Sequence, residues 1–153
     1  MKTTLRTIRL LALIVWLGGQ LFFGAVLAPV AFTYLPTTHD AGTVVGATLL
    51  MLHVIGFACG ALLISTTVLL ARSRRSAIFC GITAVMLALT AFSQYSILPR
   101  MEQDRIDAGE ITEPCTSAAC NDFNRLHPVS EHVEEAVMLG GLALTIMLAQ
   151  RED

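Results

Sequence analysis

The amino-acid sequence predicts an all-α protein, a bundle of four transmembrane helices with both termini on the cytoplasmic side. Three observations predict this fold. The chain has 153 residues, the length of a single domain, and 54% of them are hydrophobic while only 14% are charged. The hydrophobic residues also lie together in long blocks, which is typical of chains that cross a bilayer. We therefore expect one membrane domain over residues 1–153, with the lipid bilayer as its main partner.

The four apolar blocks cover about residues 8–34, 41–71, 76–98 and 128–150. Each is long enough to cross a hydrocarbon core of about 30 Å as a helix, and helices are expected because an open sheet cannot satisfy its backbone in lipid. The first block begins like a signal peptide, but it is longer than the ~7–15 apolar residues of such peptides, so we expect it to remain as a helix. An outer loop over about 99–127 is the one long connection.

The basic residues beside the helix ends predict the orientation. If the N-terminus is inside, seven basic residues are cytoplasmic and three are outside. The seven are Lys2, Arg6, Arg9, Arg72, Arg74, Arg75 and Arg151, and the three are Arg100, Arg105 and Arg125. Because cytoplasmic loops carry the excess of Lys and Arg, we expect cytoplasmic termini in the cell inner (plasma) membrane.

The net charge of −2 and the scattered basic residues argue against a nucleic-acid partner, which needs a concentrated basic surface. Two pairs of glycines on the second block, Gly42 with Gly46 and Gly56 with Gly60, are four residues apart and therefore share a helix face. Small residues at this spacing allow two helix backbones to approach closely. They predict either packing within one chain, which we favour, or a homodimer.

Two cysteines lie close together in the predicted outer loop. Cys115 and Cys120 can form a disulfide if the loop faces an oxidising compartment. The alternative is a metal site, but their spacing differs from the usual two to four residues of a zinc knuckle and the chain has no second pair. We favour the disulfide.

Polar residues within the apolar blocks are the natural candidates for function, because lipid does not solvate them. His53 and Gln20 both fall well inside a block. His53 has a structural interpretation, hydrogen bonding to Gln20 or to a backbone carbonyl. It also has functional interpretations as a metal ligand, a haem ligand or a proton relay.

The start of the fourth block is rich in ligand-type side chains. Glu131, His132 and Glu135 can share one face of a helix that begins near Pro128, and this face is expected to point inward, with His127 folding over it. Such a pocket suits a divalent metal or proton transfer. The alternative is an acidic first turn that complements the helix dipole.

The end of the third block reaches the same boundary as this pocket. Arg100 is expected to pair with Glu131 or Glu135, and Gln94 and Tyr95 are expected to add polar lining.

Several segments together resemble the transmembrane protein 205-like family, also catalogued as the domain of unknown function 4149. The resemblance in the first half rests on Trp16-Leu17-Gly18-Gly19, Phe22-Phe23, residues 27–32, Ala41-Gly42 and Val45-Gly46, and in the second half on residues 97–101, Arg105 and residues 123–130. It implies a four-helix integral membrane protein and supplies little mechanism. The acidic residues after Pro128 and the loop with Cys115 and Cys120 depart from the family pattern, so any activity tied to them would be particular to a subgroup.

Three functions are compatible with this sequence. The first is binding or transport of a metal ion or small solute through the outer His/Glu/Arg pocket, with transport requiring a dimer. The second is a structural or assembly subunit that packs through its glycine faces, and the third is a haem or redox protein that uses His53 with His127 or His132. No nucleophile with its base and no phosphate loop is evident, so no catalytic residue is predicted.

Overall fold

The computed structural model describes residues 2–70, 73–109, 111 and 114–150. Within these ranges the chain is helical and contains no strand. Its four long helices are α1 (Lys2–Tyr34), α2 (Thr38–Leu70), α3 (Arg74–Ala108) and α4 (Ala118–Ala149). At ~1.5 Å per residue they are ~48–52 Å long, and all four are long and apolar enough to cross a membrane. The predicted all-α bundle of four helices able to span a membrane is confirmed, and the chain is a multi-pass membrane protein.

The helices extend beyond the apolar blocks, so the predicted outer loop over 99–127 is mostly helical. The helix α3 ends at Ala108, where Gly109 adopts a left-handed φ of 72°. The helix α4 begins at Ala118, because the Ser117 hydroxyl accepts the N–H of Cys120 and caps it. Pro128, the predicted start of the last helix, lies inside it. Hydropathy marks the lipid-facing part of a helix, whereas caps set its ends. The predicted second-helix end at residue 71, and Arg72 and Arg151, lie outside the described residues.

The helices form a ring in which each contacts the next along the chain and α4 returns to α1. We call the end with the start of α1 and the close of α4 the terminal end, and the opposite end the loop end. At the terminal end Arg75 donates to the carbonyl of Met147, which ties the start of α3 to the close of α4. Trp16, Leu63 and Val137 are almost fully buried at the centre of the bundle.

Two of the helices contain a π-helical turn just before a proline. These turns are Phe23–Leu27 in α1, ahead of Pro29, and Ser93–Ile97 in α3, ahead of Pro99. Proline has no backbone N–H and its ring presses on the carbonyl four residues earlier, so the regular hydrogen-bond pattern is interrupted there. The turn in α3 contains Gln94, whose side chain belongs to the site described below.

The two glycine pairs of α2 have different surroundings. A Cβ atom on Gly56 would lie 2.8 Å from Trp16 Nε1, and one on Gly60 would lie 2.5 Å from Leu87 Cδ2. Both glycines therefore allow close packing within the chain. A Cβ on Gly42 would make only an ordinary contact at 3.4 Å, and one on Gly46 would meet no described atom within 4 Å.

The loop end brings the two loop cysteines together. The Cα atoms of Cys115 and Cys120 are 5.5 Å apart, with their side chains in bonding geometry, so a disulfide can form. Nearby, Arg105 is buried and donates to the carbonyl of His39 and to the hydroxyl of Thr43. These contacts attach the close of α3 to the start of α2.

The close approach at Gly56 predicts a large effect of a single added methyl group. Gly56→Ala is expected to lower the free energy of unfolding in detergent by about 1–3 kcal/mol, because the rigid indole of Trp16 must move. The control is Gly18→Ala, where a Cβ meets no described atom within 4 Å. That variant should be unchanged or up to about 1 kcal/mol more stable, since alanine favours helix. The measurement is unfolding followed by circular dichroism. Equal free energies of unfolding for the two variants would contradict this packing.

Candidate functional site

The most deeply placed ionisable group of α2 is His53, which is 1% exposed. It lies 15 residues after Thr38 and 17 before Leu70, or about 22 Å and about 25 Å from the two helix ends. Leu49 and Gly56, one turn away on either side, are also buried, so His53 belongs to the inward face of the helix. Its imidazole ring therefore lies near the middle of the bundle and far from either end.

Four side chains, one from each helix, meet at this depth. His53 Nε2 lies 2.8 Å from Glu134 Oε1 on α4, and His53 Nδ1 lies 2.8 Å from Gln94 Oε1 on α3. Gln20 on α1 donates from Nε2 to Glu134 Oε2 at 3.5 Å. We refer to these four residues as the polar cluster. The pair His53 and Glu134 bridges α2 and α4, which are on opposite sides of the ring.

The hydrogen-bond roles in the polar cluster follow from which atoms can donate. The Gln94 carbonyl oxygen only accepts, so the His53 Nδ1 atom that faces it must carry a proton. At the other side of the ring, a hydrogen bond between Nε2 and a carboxyl oxygen requires one proton between them. That proton is either on Nε2, beside an ionised Glu134, or on Glu134, beside a neutral imidazole.

Both arrangements of the pair have zero net charge. This matters because an uncompensated charge within a bilayer is strongly disfavoured, whereas a hydrogen-bonded neutral pair is tolerated. Loss of the shared proton would leave one negative charge on Glu134 in the interior of the bundle. A hydrogen bond between His53 and Glu134 therefore leaves the pair neutral in either arrangement.

The cluster also contains an acceptor atom that is not yet used. Gln20 Oε1 is buried and has no hydrogen-bond partner among the described residues. A half-turn of the Gln20 amide would bring its oxygen to Glu134 Oε2, where it could accept a hydrogen bond from the carboxylic acid. Gln20 can thus stabilise either protonation form of Glu134.

The predicted outer pocket is not assembled as expected. Glu131, His132 and Glu135 are exposed, so the face predicted to point inward points outward. His127 Nδ1 lies 3.6 Å from Glu131 Oε1, but Arg100 is exposed and makes no ion pair with either predicted glutamate within 4.0 Å.

The physical reason is the rotational phase of α4. Its buried stripe includes Ser130, Val137, Gly141 and Leu144, and Glu134 falls on this stripe, whereas Glu131 and Glu135 lie about 100° and about 140° from its centre.

Tyr95 also departs from its predicted role as pocket lining. It is 73% exposed, and its ring stacks on Phe57 with the centroids 6.3 Å apart. The adjacent residue Gln94 does point inward, as predicted, but towards His53. Neighbouring residues on a helix differ by ~100° in direction, so only one of the two can face the cluster.

The donor geometry bears on the metal and haem hypotheses. Among the described residues, no three His, Cys, Asp or Glu side chains are close enough to hold one metal ion together. Both ring nitrogens of His53 are already engaged, one with Gln94 and one with Glu134. In this arrangement His53 has no free nitrogen to offer to a haem iron.

Sequence reasoning missed Glu134, the most important partner of His53. The signal that identifies it is the small and apolar stripe on its own helix. Ser130, Glu134, Val137 and Gly141 follow each other at intervals of four, three and four residues, which places them on one face. The predicted partner of His53 was Gln20, which instead contacts Glu134.

A polar cluster enclosed by four long apolar helices defines a helical-bundle integral membrane protein with an ionisable site in its interior. The chain belongs to the family described as domain of unknown function (DUF4149), whose model matches residues 11–108. The match includes His53, Gln20 and Gln94 but ends before α4, which carries Glu134. The link to transmembrane protein 205-like proteins and the resemblance over residues 123–130 stay predictions. No curated protein and no solved structure matches the chain.

The cluster predicts different effects for two adjacent glutamates. Glu134→Leu leaves His53 Nε2 buried without a partner and is expected to lower the free energy of unfolding by about 1–3 kcal/mol. Glu135→Leu alters an exposed position and should change it by less than about 0.5 kcal/mol. Thermal unfolding of the detergent-solubilised proteins measures both. Equal effects at the two positions would contradict a structural role of Glu134 in the cluster.

Proposed function

We propose that this protein binds one exchangeable proton within the membrane, at the His53–Glu134 pair, and acts as an intramembrane proton relay. The observation that carries the proposal is the 2.8 Å contact between His53 Nε2 and Glu134 Oε1 in the interior of the bundle. Ionisable residues inside transmembrane bundles are expensive to maintain, and proton pathways are one of their established uses.

The surroundings of the pair support this role. Gln94 holds the ring from its Nδ1 side, so that Nε2 faces the carboxyl group, and Gln20 contacts the other carboxyl oxygen. Both amides are neutral, so they orient the pair without fixing its charge. The exchangeable proton therefore has two alternative resting atoms that are already within hydrogen-bond distance.

Buried hydroxyl groups give this site a polar continuation towards the terminal end. Thr90 and Ser93, three residues apart on α3, are at most 1% exposed, and their side-chain oxygens have no hydrogen-bond partner among the described residues. Hydroxyl groups can both donate and accept, which is the property a proton pathway requires. Thr83 continues the same face of α3.

The other hypotheses stay predictions. Among the described residues, metal or small-solute binding by His127, Glu131, His132 and Glu135 is supported by the 3.6 Å approach of His127 to Glu131. No contact between described residues specifically favours a structural role, a homodimer or a haem role for His53. The proton relay ranks first because its donor and acceptor atoms are already in contact.

We also propose that the terminal end faces the cytoplasm of a cell with the protein in its inner (plasma) membrane. The basic residues Lys2, Arg6, Arg9, Arg74 and Arg75 lie at this end. The loop end carries Cys115 and Cys120, which can pair in an oxidising compartment. The basic residues agree with the positive-inside rule, and the cysteines independently favour an outer loop end.

The shared proton predicts a spectroscopic signature. Infrared difference spectra between acid and alkaline pH should contain the carbonyl band of a protonated carboxylic acid that is lost in Glu134→Gln. Glu135→Gln is the control and should keep that band. In parallel, ¹⁵N spectra of labelled histidine should show both nitrogens of His53 in hydrogen bonds, with the Nε2 signal altered in Glu134→Gln. A pH-dependent spectrum that is identical in wild type and Glu134→Gln would eliminate the proposal.

The proposed orientation predicts which side of the membrane reacts with thiol reagents. In intact cells, a membrane-impermeant maleimide should label Cys115 and Cys120 only after a reductant has been added. A Cys59→Ser/Cys80→Ser double variant, which leaves only the loop thiols, serves as the control for labelling within the helices. Labelling that requires the cell membrane to be opened would reverse the orientation.

A further inference from the structure

The outward face of α4 carries a regular stripe of exposed residues. Its members follow each other at intervals of four, three, four, three and four residues, and each is exposed on the outside of the bundle. We call this set the outer stripe: Pro128, His132, Glu135, Leu139, Leu142 and Ile146. Alternating intervals of three and four residues are the spacing with which two helices pack along each other in a left-handed pair. The helix α4 therefore has a second packing face, on the side opposite its buried stripe.

Two members of the outer stripe are ionisable and lie at a depth where lipid surrounds them. Glu135 and His132 are 14 and 17 residues before Ala149, or about 21 Å and about 25 Å from the terminal end of α4. A hydrocarbon core of about 30 Å that starts at this end includes both side chains. The apolar parts of the other three helices contain no Asp, Glu, Lys or Arg, and their single histidine is the buried His53. These parts are residues 10–34, 41–70 and 76–98.

Within one chain, these two side chains have no polar partner. Neither His132 nor Glu135 takes part in a hydrogen bond or an ion pair among the described residues, although they are three residues apart. The neighbouring Glu131 approaches His127 instead. Ionisable groups at membrane depth are expensive and are almost always paired. We therefore expect the partner of His132 and Glu135 to come from outside the chain.

A second copy of the same chain supplies the complementary groups. Copies of one protein enter the membrane in the same orientation, so their α4 helices are parallel and the two ionisable residues lie at matching depths. In a two-fold arrangement, His132 of one copy meets Glu135 of the other, and the same contact is repeated with the roles exchanged. A hydrogen bond between an imidazole and a carboxyl group leaves each contact without net charge. The outer stripe is therefore complementary to itself.

The rest of the stripe and an adjoining groove also fit a second α4. Leu139, Leu142 and Ile146 continue the stripe towards the terminal end with exposed apolar side chains. An open groove of about 380 Å³ lies beside the stripe between α3 and α4, and its lining is apolar apart from His132. The other lining residues are Leu89, Pro128, Val129, Val133 and Ala136. A second α4 along the stripe covers this groove with its own apolar side chains.

We propose that two copies of this chain form a parallel homodimer along the outer stripes of their α4 helices, held by reciprocal contacts between His132 and Glu135. Polar residues within such a seam also fix the register of the two helices. The surface is different from the glycine pairs of α2, from which the sequence predicted a possible homodimer. Glu134 points about 100° away from Glu135, so the dimer and the proton relay use different residues and can be tested separately.

Exchanging the two ionisable side chains tests the reciprocal contacts. Glu135→His gives a copy with histidine at both positions, and His132→Glu gives a copy with glutamate at both. Each variant loses the complementary contacts with itself, whereas the two variants together restore both contacts. Association of the two variants with each other also shows that both are folded, so a loss of self-association is then not due to unfolding.

The measurement is co-purification of two differently tagged full-length copies, expressed together and extracted with their surrounding lipid by a styrene–maleic acid copolymer at neutral pH. Wild-type copies should co-purify, and so should Glu135→His with His132→Glu. Each variant should recover itself about tenfold less, as expected for the loss of two interhelical hydrogen bonds in a membrane. An excess of detergent separates the copies, so the small effect of Glu135→Leu on unfolding in detergent is compatible with the dimer.

Two results would overturn the proposal. The first is failure of the wild-type copies to co-purify, which would leave the outer stripe to lipid or to a different protein. The second is equal recovery of the mixed pair and of each variant with itself, which would show that the reciprocal contacts do not hold the copies together.

The apolar part of the stripe is tested with a matched pair of leucines. Leu139→Ala shortens a stripe residue, and Leu62→Ala makes the same change at an exposed position of α2, on the opposite side of the ring. In the same assay Leu139→Ala should lower the recovery of the second copy by about threefold to tenfold, because helix association in lipid depends on close packing. Leu62→Ala should leave it unchanged. Equal effects of the two variants would contradict the assignment of the dimer to this face of α4.

Discussion

The hydrogen bond between His53 and Glu134 is the interaction around which the bundle interior is organised. In lipid no water is available to compensate a polar group, so each of these side chains must find its partner within the protein. The pair connects α2 to α4 across the ring, and Gln94 and Gln20 connect it to α3 and α1. The same four residues thus connect all four helices and fix their relative rotation. Stability and the proposed function depend on one set of contacts.

The sequence predicts the architecture well because lipid imposes a strong and simple constraint. Long apolar blocks must become helices, and the four blocks correspond to α1 to α4. Their ends were less predictable, since Ser117 and Gly109 act through local backbone geometry rather than hydropathy. The candidate site was harder still. His53 was recognised as unusual because it interrupts an apolar block, whereas Glu134 was one of several acidic residues, and only the phase of α4 distinguishes it from Glu135.

The outward direction of Glu131, His132 and Glu135 shows how sensitive such predictions are to helix phase. The position of these three residues relative to one another is the same whether the helix starts at Pro128, as predicted, or ten residues earlier, as observed. What changes is the face that meets the rest of the bundle, and this is set by the stripe of Ser130, Val137 and Gly141 against α1 and α3. Sequence spacing predicts which residues are neighbours on one helix. It does not predict which residues contact another helix, because that depends on how the two helices pack.

The π-helical turns have a mechanical consequence. They occur in α1 and α3, which face each other across the ring, while α2 and α4 contain none. The interrupted helices carry the two amides, Gln20 and Gln94, and the uninterrupted ones carry His53 and Glu134. A helix bends most readily where its backbone ladder is broken. Bending of α1 or α3 would therefore move the Gln20 or Gln94 amide towards or away from the pair, while His53 and Glu134 stay in contact. The strength of the hydrogen bond within the pair would then depend on the shape of these two helices.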